Sequence, residues 1–242
     1  MRRPLALAFD LDNTLWDIGP VMARAEQALH DWLATHYPRI TDLHSIDAMR
    51  ERRFALAERR PDLAHDFTAL RKLSLHEHAA EAGYPAALVE HAFEEFYAHR
   101  NSVELYSDVL PELERLGGKF RLLALTNGNA DLKRIGIAHH FELIVTARSV
   151  GWAKPDARIF ASLLAGAGLA AGDVLYIGDE PVADVEGPRG AGIEAVWINR
   201  TGAEWPQELA PPLRTVTNLH ELADWLMKKG SDLFSVTTAD GK

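Results

Sequence analysis

Two aspartates stand one residue apart where an apolar run near the start of the chain ends. Leu5 to Asp10 reads LALAFD, and Asp12 follows after one leucine. Such a run predicts a buried strand, so both carboxylates would lie where that strand emerges. A turn would account for Asp10 and Asp12 taken alone, because aspartate is common in turns. Ion pairing would account for one of them, and catalysis would account for both.

Polar residues also follow two later apolar runs. Residues 120–128 contain Thr126 and Asn127 near their end, and residues 173–180 contain Asp179. In open α/β sheets, ligands bind beyond the carboxyl ends of the strands. We therefore expect these side chains and the first two aspartates to face one crevice.

Two further charged residues could join them. Asp184 lies five residues beyond Asp179, and Lys154 stands in a predicted loop before Pro155. Alone, Asp184 would be a solvated helix-start residue and Lys154 a surface lysine. Gathered carboxylates raise one another's pKa, and bound Mg²⁺ would compensate them because it takes oxygen ligands and keeps waters that a phosphate can replace. With Lys154 and Thr126 added, the set suits phosphoryl transfer, which depends on charge neutralisation and alignment.

Strand and helix patterns alternate through most of the chain. The apolar runs are continuous rather than alternating, which is typical of parallel strands covered on both faces. The alternation predicts a doubly wound α/β core with a parallel sheet. The predicted strands are 5–10, 120–128, 141–147, 173–180 and 194–200, and the predicted helices are 108–117, 130–138, 156–168 and 182–191.

Residues 20–102 differ from this pattern because they hold helical periodicity and no convincing strand. Breaks at Pro38, Pro61 and Gly83 divide them into four predicted helices, which fit a small bundle inserted after the first strand. We therefore predict an α/β core from residues 1–19 and 103–230, a helical cap from 20–102, and a loose tail from 231–242.

Composition excludes several classes of function. The chain of 242 residues has a formal net charge of -9, which argues against a general nucleic-acid binder. It has no cysteine, which excludes disulfides, thiolate nucleophiles and cysteine-ligated metals. The first apolar run meets Asp10 too early for a signal peptide, and no stretch suits a membrane span. We expect a cytoplasmic protein with a small-molecule partner, and the sequence leaves its oligomeric state open.

The ordered motifs resemble those of the haloacid dehalogenase superfamily. They are DLDNT, the strand ending in TN, the isolated KP, and GDEPVAD followed by GPRGAG. The match spans residues 5–200, and the helical insert fits the cap that this superfamily places after its first motif. One such motif would be weak, whereas four in order are a specific signal.

The resemblance implies a role for each matching residue. Asp10 would be the nucleophile that forms an aspartyl-phosphate, and Asp12 would protonate the leaving alcohol and later activate water. Thr126 and Lys154 would hold the transferring phosphoryl group. The remaining implied roles are phosphate binding by the backbone around Asn127, Mg²⁺ ligation by Asp10, Asp179 and the backbone carbonyl of Asp12, and the orientation of metal-bound water or Lys154 by Asp184.

Asp12 also separates the activities of the superfamily. Its dehalogenases lack a carboxylate at this position, so the resemblance implies a phosphatase, while a sugar-phosphate mutase would keep both aspartates. FDLDNTLWDIGPVMARAEQAL, LALTNGNAD and AVWINR further resemble bacterial phosphatases of flavin mononucleotide and of 5-amino-6-(5-phospho-D-ribitylamino)uracil. A non-catalytic phosphometabolite-binding protein is the other alternative, although such a protein has no chemical need for the intact catalytic set.

Two groups of side chains near the predicted cleft carry open assignments. Trp16 follows the first motif and is expected either to stack on a substrate ring or to pack in the hinge. Cap arginines mostly occupy wet helix faces in this interpretation, and one or two would reach the substrate when the cap closes. They are Arg50, Arg52, Arg53 and Arg71.

Overall fold

The computed structural model describes residues 3–228, and its centre is a sheet of six parallel strands in the order β3-β2-β1-β4-β5-β6. β1 therefore lies between β2 and β4, and the order of the strands reverses at β1: β2 and β3 lie on one side of it, and β4 to β6 on the other. This reversal opens a crevice at the carboxyl ends of the central strands. The strands are β1 Ala6–Phe9, β2 Arg121–Thr126, β3 Leu143–Thr146, β4 Val174–Gly178, β5 Glu194–Ile198 and β6 Arg214–Val216.

Residues 3–228 contain eleven α-helices, all of which follow β1 in the chain. None of them is both long enough and apolar enough to cross a membrane. The first five are α1 Ile18–His36, α2 Pro38–Leu43, α3 Ile46–Arg59, α4 Phe67–Glu81 and α5 Leu88–Arg100. The others are α6 Val109–Gly117, α7 Leu132–Ile135, α8 Ala147–Val150, α9 Ala157–Ala167, α10 Gly187–Gly190 and α11 Leu219–Lys228.

Both faces of the sheet are covered, which explains the continuous apolar runs. Leu7 and Phe9 of β1 pack into a cluster that includes residues of α6 and α11. Ala6 and Ala8 of the same strand face a second cluster that includes residues of α9. Successive residues of a strand point to opposite faces, so each of them enters one of the two clusters.

Helices α1 to α5 form a separate layer with its own apolar core. That core includes Leu29 and Leu33 of α1, Leu75 of α4 and Phe96 of α5. The layer begins where the Asp17 side chain caps α1 by accepting a hydrogen bond from the Gly19 N–H at 2.8 Å. A capping carboxylate suits the positive end of a helix, so it fixes where the chain leaves the sheet.

The prediction of a doubly wound parallel α/β fold with flanking helices is confirmed. Some elements differ from their predictions. Five α-helices and a 3₁₀ turn at Pro61–Leu63 occupy the stretch where four helices were predicted. The predicted helix 130–138 is one turn, α7, followed by a 3₁₀ turn, and the predicted helix 182–191 begins as a π-helical turn at Pro181–Glu186. The predicted tail 231–242 lies outside the described residues.

A buried ion pair joins the end of β5 to the start of α6. The Asp108 carboxylate accepts a hydrogen bond from Arg200 Nη1 at 3.1 Å and one from the Leu219 N–H at 2.6 Å. Arg200 Nε also donates to the carbonyl of Thr14 at 2.9 Å, so the pair braces the loop after β1. Burial raises the pKa of Asp108, but the hydrogen bonds from Arg200 and Leu219 outweigh it and hold that pKa below its ordinary value.

We expect Asp108→Asn to lower the free energy of unfolding by about 2 kcal/mol at neutral pH, because a charged acceptor is lost from a buried pair. The stability contributed by the ionised carboxylate is present above the unfolded pKa of about 4 and disappears as the pH falls through the lower folded pKa. Urea unfolding between pH 7 and pH 3 should show the two proteins converging at the acid end. Asp42→Asn, at an exposed position, is the control. A difference that stays constant over this range would contradict the account.

Candidate active site

A cavity of about 420 Å³ lies at the carboxyl ends of β1, β2 and β4. Its floor comes from the loops after these strands, and its opposite wall comes from α1, α3, α4 and α5. The structure brings seven of the eight predicted site residues to this cavity. They are Asp10, Asp12, Thr126, Asn127, Lys154, Asp179 and Asp184.

The Lys154 ammonium group is the centre of the floor. Its Nζ lies 2.6 Å from Asp10 Oδ1 and 2.6 Å from Asp184 Oδ1, and it donates to the Tyr176 hydroxyl at 3.1 Å. The Lys154 side chain is 3% exposed and that of Asp184 is 1% exposed. Charges removed from water need partners of opposite sign, so this lysine and the two carboxylates stabilise one another.

The pKa values of these groups follow from their burial and crowding. Burial alone would lower the pKa of Lys154, but the Asp10 and Asp184 carboxylates raise it well above its ordinary value. Burial raises the pKa of Asp10 well above its ordinary value, and Asp184 adds to this while Lys154 opposes it. Lys154 is thus held in its charged form. Its single positive charge does not balance the negative charges of the carboxylates around it.

Asp179 adds a third carboxylate. Burial, followed by the charge of Asp184, raises the pKa of Asp179 to about 7, although Lys154 opposes the shift. One oxygen each from Asp10, Asp179 and Asp184 lies within 4.8 Å of the others. Buried carboxylates that lack positive partners make a suitable donor set for a hard divalent cation such as Mg²⁺. Both oxygens of Asp184 already accept hydrogen bonds, from Lys154 and from the Glu180 N–H at 3.0 Å, which suits a supporting position better than direct ligation.

The Asp12 side chain turns toward the helical layer. Arg100 Nη2, at the end of α5, donates to both Asp12 oxygens at 2.8 Å, and Trp16 Nε1 donates to Asp12 Oδ1 at 2.9 Å. Arg100 is 2% exposed and the Asp12 side chain is 24% exposed, so this contact between the two layers is partly buried. The Asp12 carboxylate therefore has a fixed direction. Metal ligation by the backbone carbonyl of Asp12 stays a prediction.

The position of Trp16 corrects the expectation that it binds substrate. Its side chain is fully buried and does not line the cavity, so it has no face on which a substrate ring could stack. The indole is instead packed in the core beside α1 and uses its N–H to hold Asp12. The sequence showed an aromatic residue next to the first motif but not the direction of its ring.

The Thr126–Gly128 turn forms the side of the floor opposite β4. The Thr126 hydroxyl accepts a hydrogen bond from the Gly128 N–H at 2.8 Å. Asn127 accepts from the Lys154 N–H at 2.7 Å and donates to the Lys154 carbonyl at 3.0 Å, so the two loops are tied together. A Cβ atom at Gly128 would lie 2.6 Å from Asp12 Oδ2, which explains why the turn needs glycine there.

Sequence reasoning missed two residues that contact the site. Tyr176, on β4, donates its hydroxyl to the Leu125 carbonyl at 3.1 Å and receives the Lys154 hydrogen bond. Its place within an apolar strand made it look like core packing. Arg100 stands 88 residues from Asp12, and nothing in the local sequence links the two.

We expect Lys154→Met to lower the free energy of unfolding by about 3–5 kcal/mol at pH 7, because the buried Asp10 and Asp184 carboxylates lose their shared partner. Urea unfolding in the presence of a chelator measures this without interference from bound cations. Lys133→Met, on an exposed part of α7, is the matched control. A cost below about 1 kcal/mol, as for a surface ion pair, would contradict the central position given to Lys154.

The comparisons with known proteins agree with one another on the family. The model of the haloacid dehalogenase-like hydrolases matches residues 5–192. The 5-amino-6-(5-phospho-D-ribitylamino)uracil phosphatase YigB of Escherichia coli (strain K12) is 30% identical over 223 residues, which are 87% of this chain and 93% of that protein. The phosphoserine phosphatase of Thermus thermophilus is 37% identical over 150 residues, which are 59% of each protein.

A solved structure shows the same fold over nearly the whole chain. It is that of a 2-haloacid dehalogenase from Pseudomonas syringae pv. Tomato DC3000, with 35% identity and a TM-score of 0.86 over 93% of this chain and 99% of that one. The matched residues include both halves of the sheet and the helices inserted after β1. The chain is therefore an enzyme of the haloacid dehalogenase-like hydrolase family.

Proposed function

We propose that this enzyme is a Mg²⁺-dependent phosphatase that hydrolyses a small phosphomonoester through an aspartyl-phosphate on Asp10. The observation that carries the proposal is the pair of carboxylates after β1, with Asp12 held beside Asp10 by Arg100 and Trp16. A second carboxylate is needed when the leaving group is an alcohol, which must be protonated. The phosphatases among the relatives support the same chemistry.

The proposed reaction has two steps. In the first, an Asp10 oxygen attacks the phosphorus, and the bond from phosphorus to the leaving oxygen breaks as Asp12 gives that oxygen a proton. In the second, Asp12 takes a proton from water, the water oxygen attacks the phosphorus, and the bond to Asp10 breaks to release inorganic phosphate. Lys154, Thr126 and the backbone at Asn127 hold the phosphoryl oxygens throughout.

The residues present fit a divalent cation. Asp10, Asp179 and the backbone carbonyl of Asp12 would hold it, with Asp184 orienting Lys154 and the loop at Glu180. When bound, Mg²⁺ neutralises the negative charge that gathers on the phosphoryl oxygens and the carboxylates. Burial, and then the charge of Asp184, raises the pKa values of Asp10 and Asp179, and a bound cation would favour their ionised forms. The proposed enzyme would act in the cytoplasm.

The helical layer, residues 20–102, is the proposed cap, and residues 1–19 and 103–230 are the proposed core. The cap supplies one wall of the cavity and so would contact the leaving group. Flavin mononucleotide and 5-amino-6-(5-phospho-D-ribitylamino)uracil are the first candidate substrates, because the name of the relative YigB identifies it as a phosphatase of the second compound. Both would place a ribityl chain and a ring in the cleft.

Dehalogenation is a second candidate, because a structure similar over most of the chain is that of a 2-haloacid dehalogenase. Displacing a halide needs a nucleophilic carboxylate but no acid for the leaving group. The fixed Asp12 side chain would have no proton to move in that reaction. Asp12 therefore favours the phosphatase.

The proposal predicts that the enzyme releases phosphate in the presence of Mg²⁺ and that a chelator abolishes this release. Asp10→Asn should release none, because it removes the nucleophile while keeping the shape of the side chain. A panel of ribityl phosphates, nucleotides and sugar phosphates would be assayed together with 2-chloropropionate for halide release. Isomerised sugar phosphate in place of inorganic phosphate would indicate a mutase. Halide release without phosphate release would indicate a dehalogenase, and no turnover of any compound would indicate a binding protein.

We expect Trp16→Phe to lower kcat by about tenfold with KM little changed, because the Asp12 carboxylate loses one of its fixed donors, worth about 1.5 kcal/mol. Steady-state kinetics on the best substrate of the panel would measure both constants. Trp152→Phe, at a residue that does not line the cavity, is the control. A rise in KM with kcat unchanged would contradict the assignment of Trp16 to holding Asp12.

A further inference from the structure

Three arginines on three different helices line the cap wall of the cavity. Arg53 lies on α3, Arg71 on α4 and Arg100 at the end of α5. Arg71 is 5% exposed and Arg100 is 2% exposed. Buried guanidinium groups are costly unless they meet negative charge, so their convergence on a cleft requires an explanation.

The single negative charge of Glu26 on α1 does not balance the positive charges of the arginines around it. One of its oxygens accepts from Arg53 at 2.7 Å and from Arg71 at 3.4 Å. The other accepts from Arg50 at 2.8 Å. Three guanidinium groups thus share one carboxylate, and within residues 3–228 Arg50 alone of the three has a second acidic partner, Asp47 at 2.9 Å. The wall therefore carries excess positive charge.

Arg71 is where the excess is greatest. Burial, followed by the positive charge of Arg53, lowers the pKa of Arg71 to about 9, while Glu26 opposes the shift and Arg100 adds to it. Its guanidinium carbon lies 3.5 Å from the centre of the Phe96 ring, which fixes the group against an apolar surface. A negative group arriving in the cleft would relieve this repulsion.

Arg100 connects this wall to the phosphoryl end of the cavity. Its Nη2 holds Asp12, and its buried Nη1 has no hydrogen-bond partner among residues 3–228. Phe54 and Phe67 extend the same wall with exposed apolar rings. A ligand that fills the cleft would therefore meet phosphoryl-binding groups and Arg100 at one end, and at the other an apolar surface with Arg53 and Arg71, which share one carboxylate.

We propose that Arg53 and Arg71, together with Arg100, form an anion-binding subsite in the cap wall, so that the enzyme prefers phosphomonoesters whose leaving group carries a carboxylate or another anionic oxygen beside an apolar body. This inference rests on the proposed phosphatase activity and names a feature of its substrate. Guanidinium groups bind carboxylate and phosphate oxygens through paired donors, which makes the preference one of charge and geometry together. Ribityl phosphates offer ring carbonyl oxygens there instead of a charge.

A matched pair of aryl phosphates tests the subsite. The substrates 4-carboxyphenyl phosphate and 4-carbamoylphenyl phosphate have nearly the same shape, but only the first has a charged leaving group. The carboxamide makes the phenol the better leaving group, so intrinsic reactivity works against the expected result. We expect kcat/KM to favour the carboxylate by at least about tenfold in the wild type, a ratio typical of one charge-assisted contact.

Substitutions assign the preference to the arginines. Arg53→Gln should reduce the ratio to near one, Arg53→Lys should keep part of it, and Arg71→Gln should act as Arg53→Gln does. Arg59→Gln, at the exposed end of α3, is the control and should keep the full ratio. Because Arg53 is more exposed than Arg71, its variants test the subsite even where Arg71→Gln does not fold.

The outcomes separate the two proposals. Equal kcat/KM for both esters, or a ratio that Arg53→Gln leaves unchanged, would overturn the anion subsite while phosphate release still supports the phosphatase. Absence of phosphate release from both aryl esters and from the whole substrate panel would overturn the phosphatase and the subsite with it.

Discussion

The structure of this enzyme depends on one buried ammonium group placed between two carboxylates. Lys154 Nζ contacts Asp10 and Asp184 at 2.6 Å each, and these residues come from a loop, from the end of β1 and from the turn after β4. None of the three charges is tolerable alone at this depth, because each has been removed from water. The contact therefore holds three separate segments of the chain together. The same contact forms the floor of the candidate active site.

The sheet topology makes such a concentration of charge possible. Because β1 lies between β2 and β4, its carboxyl end opens into a crevice rather than into packed core. Three aspartates gather there with a single lysine, and the pKa of Asp179 rises to about 7 as a result of its burial and of Asp184. Carboxylates crowded in this way repel one another, and bound positive charge would offset that repulsion. The electrostatic repulsion is confined to the site, while the apolar clusters on both faces of the sheet stabilise the fold.

The floor of the site was largely predictable from sequence, because residues at strand ends inherit their position from the strands. Asp10, Thr126 and Asp179 follow apolar runs that could be recognised, and parallel strands bring their ends together. The cap contribution was not predictable in the same way. Arg100 reaches Asp12 across 88 residues, and the orientation of Trp16 depends on packing between layers. The short strand β6, with two of its three residues exposed, lacked the apolar signal altogether.

The cap and the core also divide the chemistry between them. In the proposed reaction the core would supply the groups that any phosphomonoester needs, whereas the cap, which forms one wall of the cavity, would contact the leaving group. Arg100 belongs to both, since it holds Asp12 from the end of α5. Movement of the cap would therefore alter the position of the proposed acid and base as well as access to the cleft.

The central claim is that the phosphoryl group passes through Asp10, and the most direct measurement is to trap it there. In Asp12→Asn the second step lacks its base, and a substrate with a good leaving group, such as 4-nitrophenyl phosphate, needs no acid in the first step. The phosphorylated enzyme should therefore accumulate after mixing with that ester and Mg²⁺. Acid quenching followed by peptide mass spectrometry should find the phosphoryl group on Asp10 and none in Asp10→Asn. Phosphate release by the wild type, with the group on another residue or with no phosphorylated enzyme in either protein, would contradict the account.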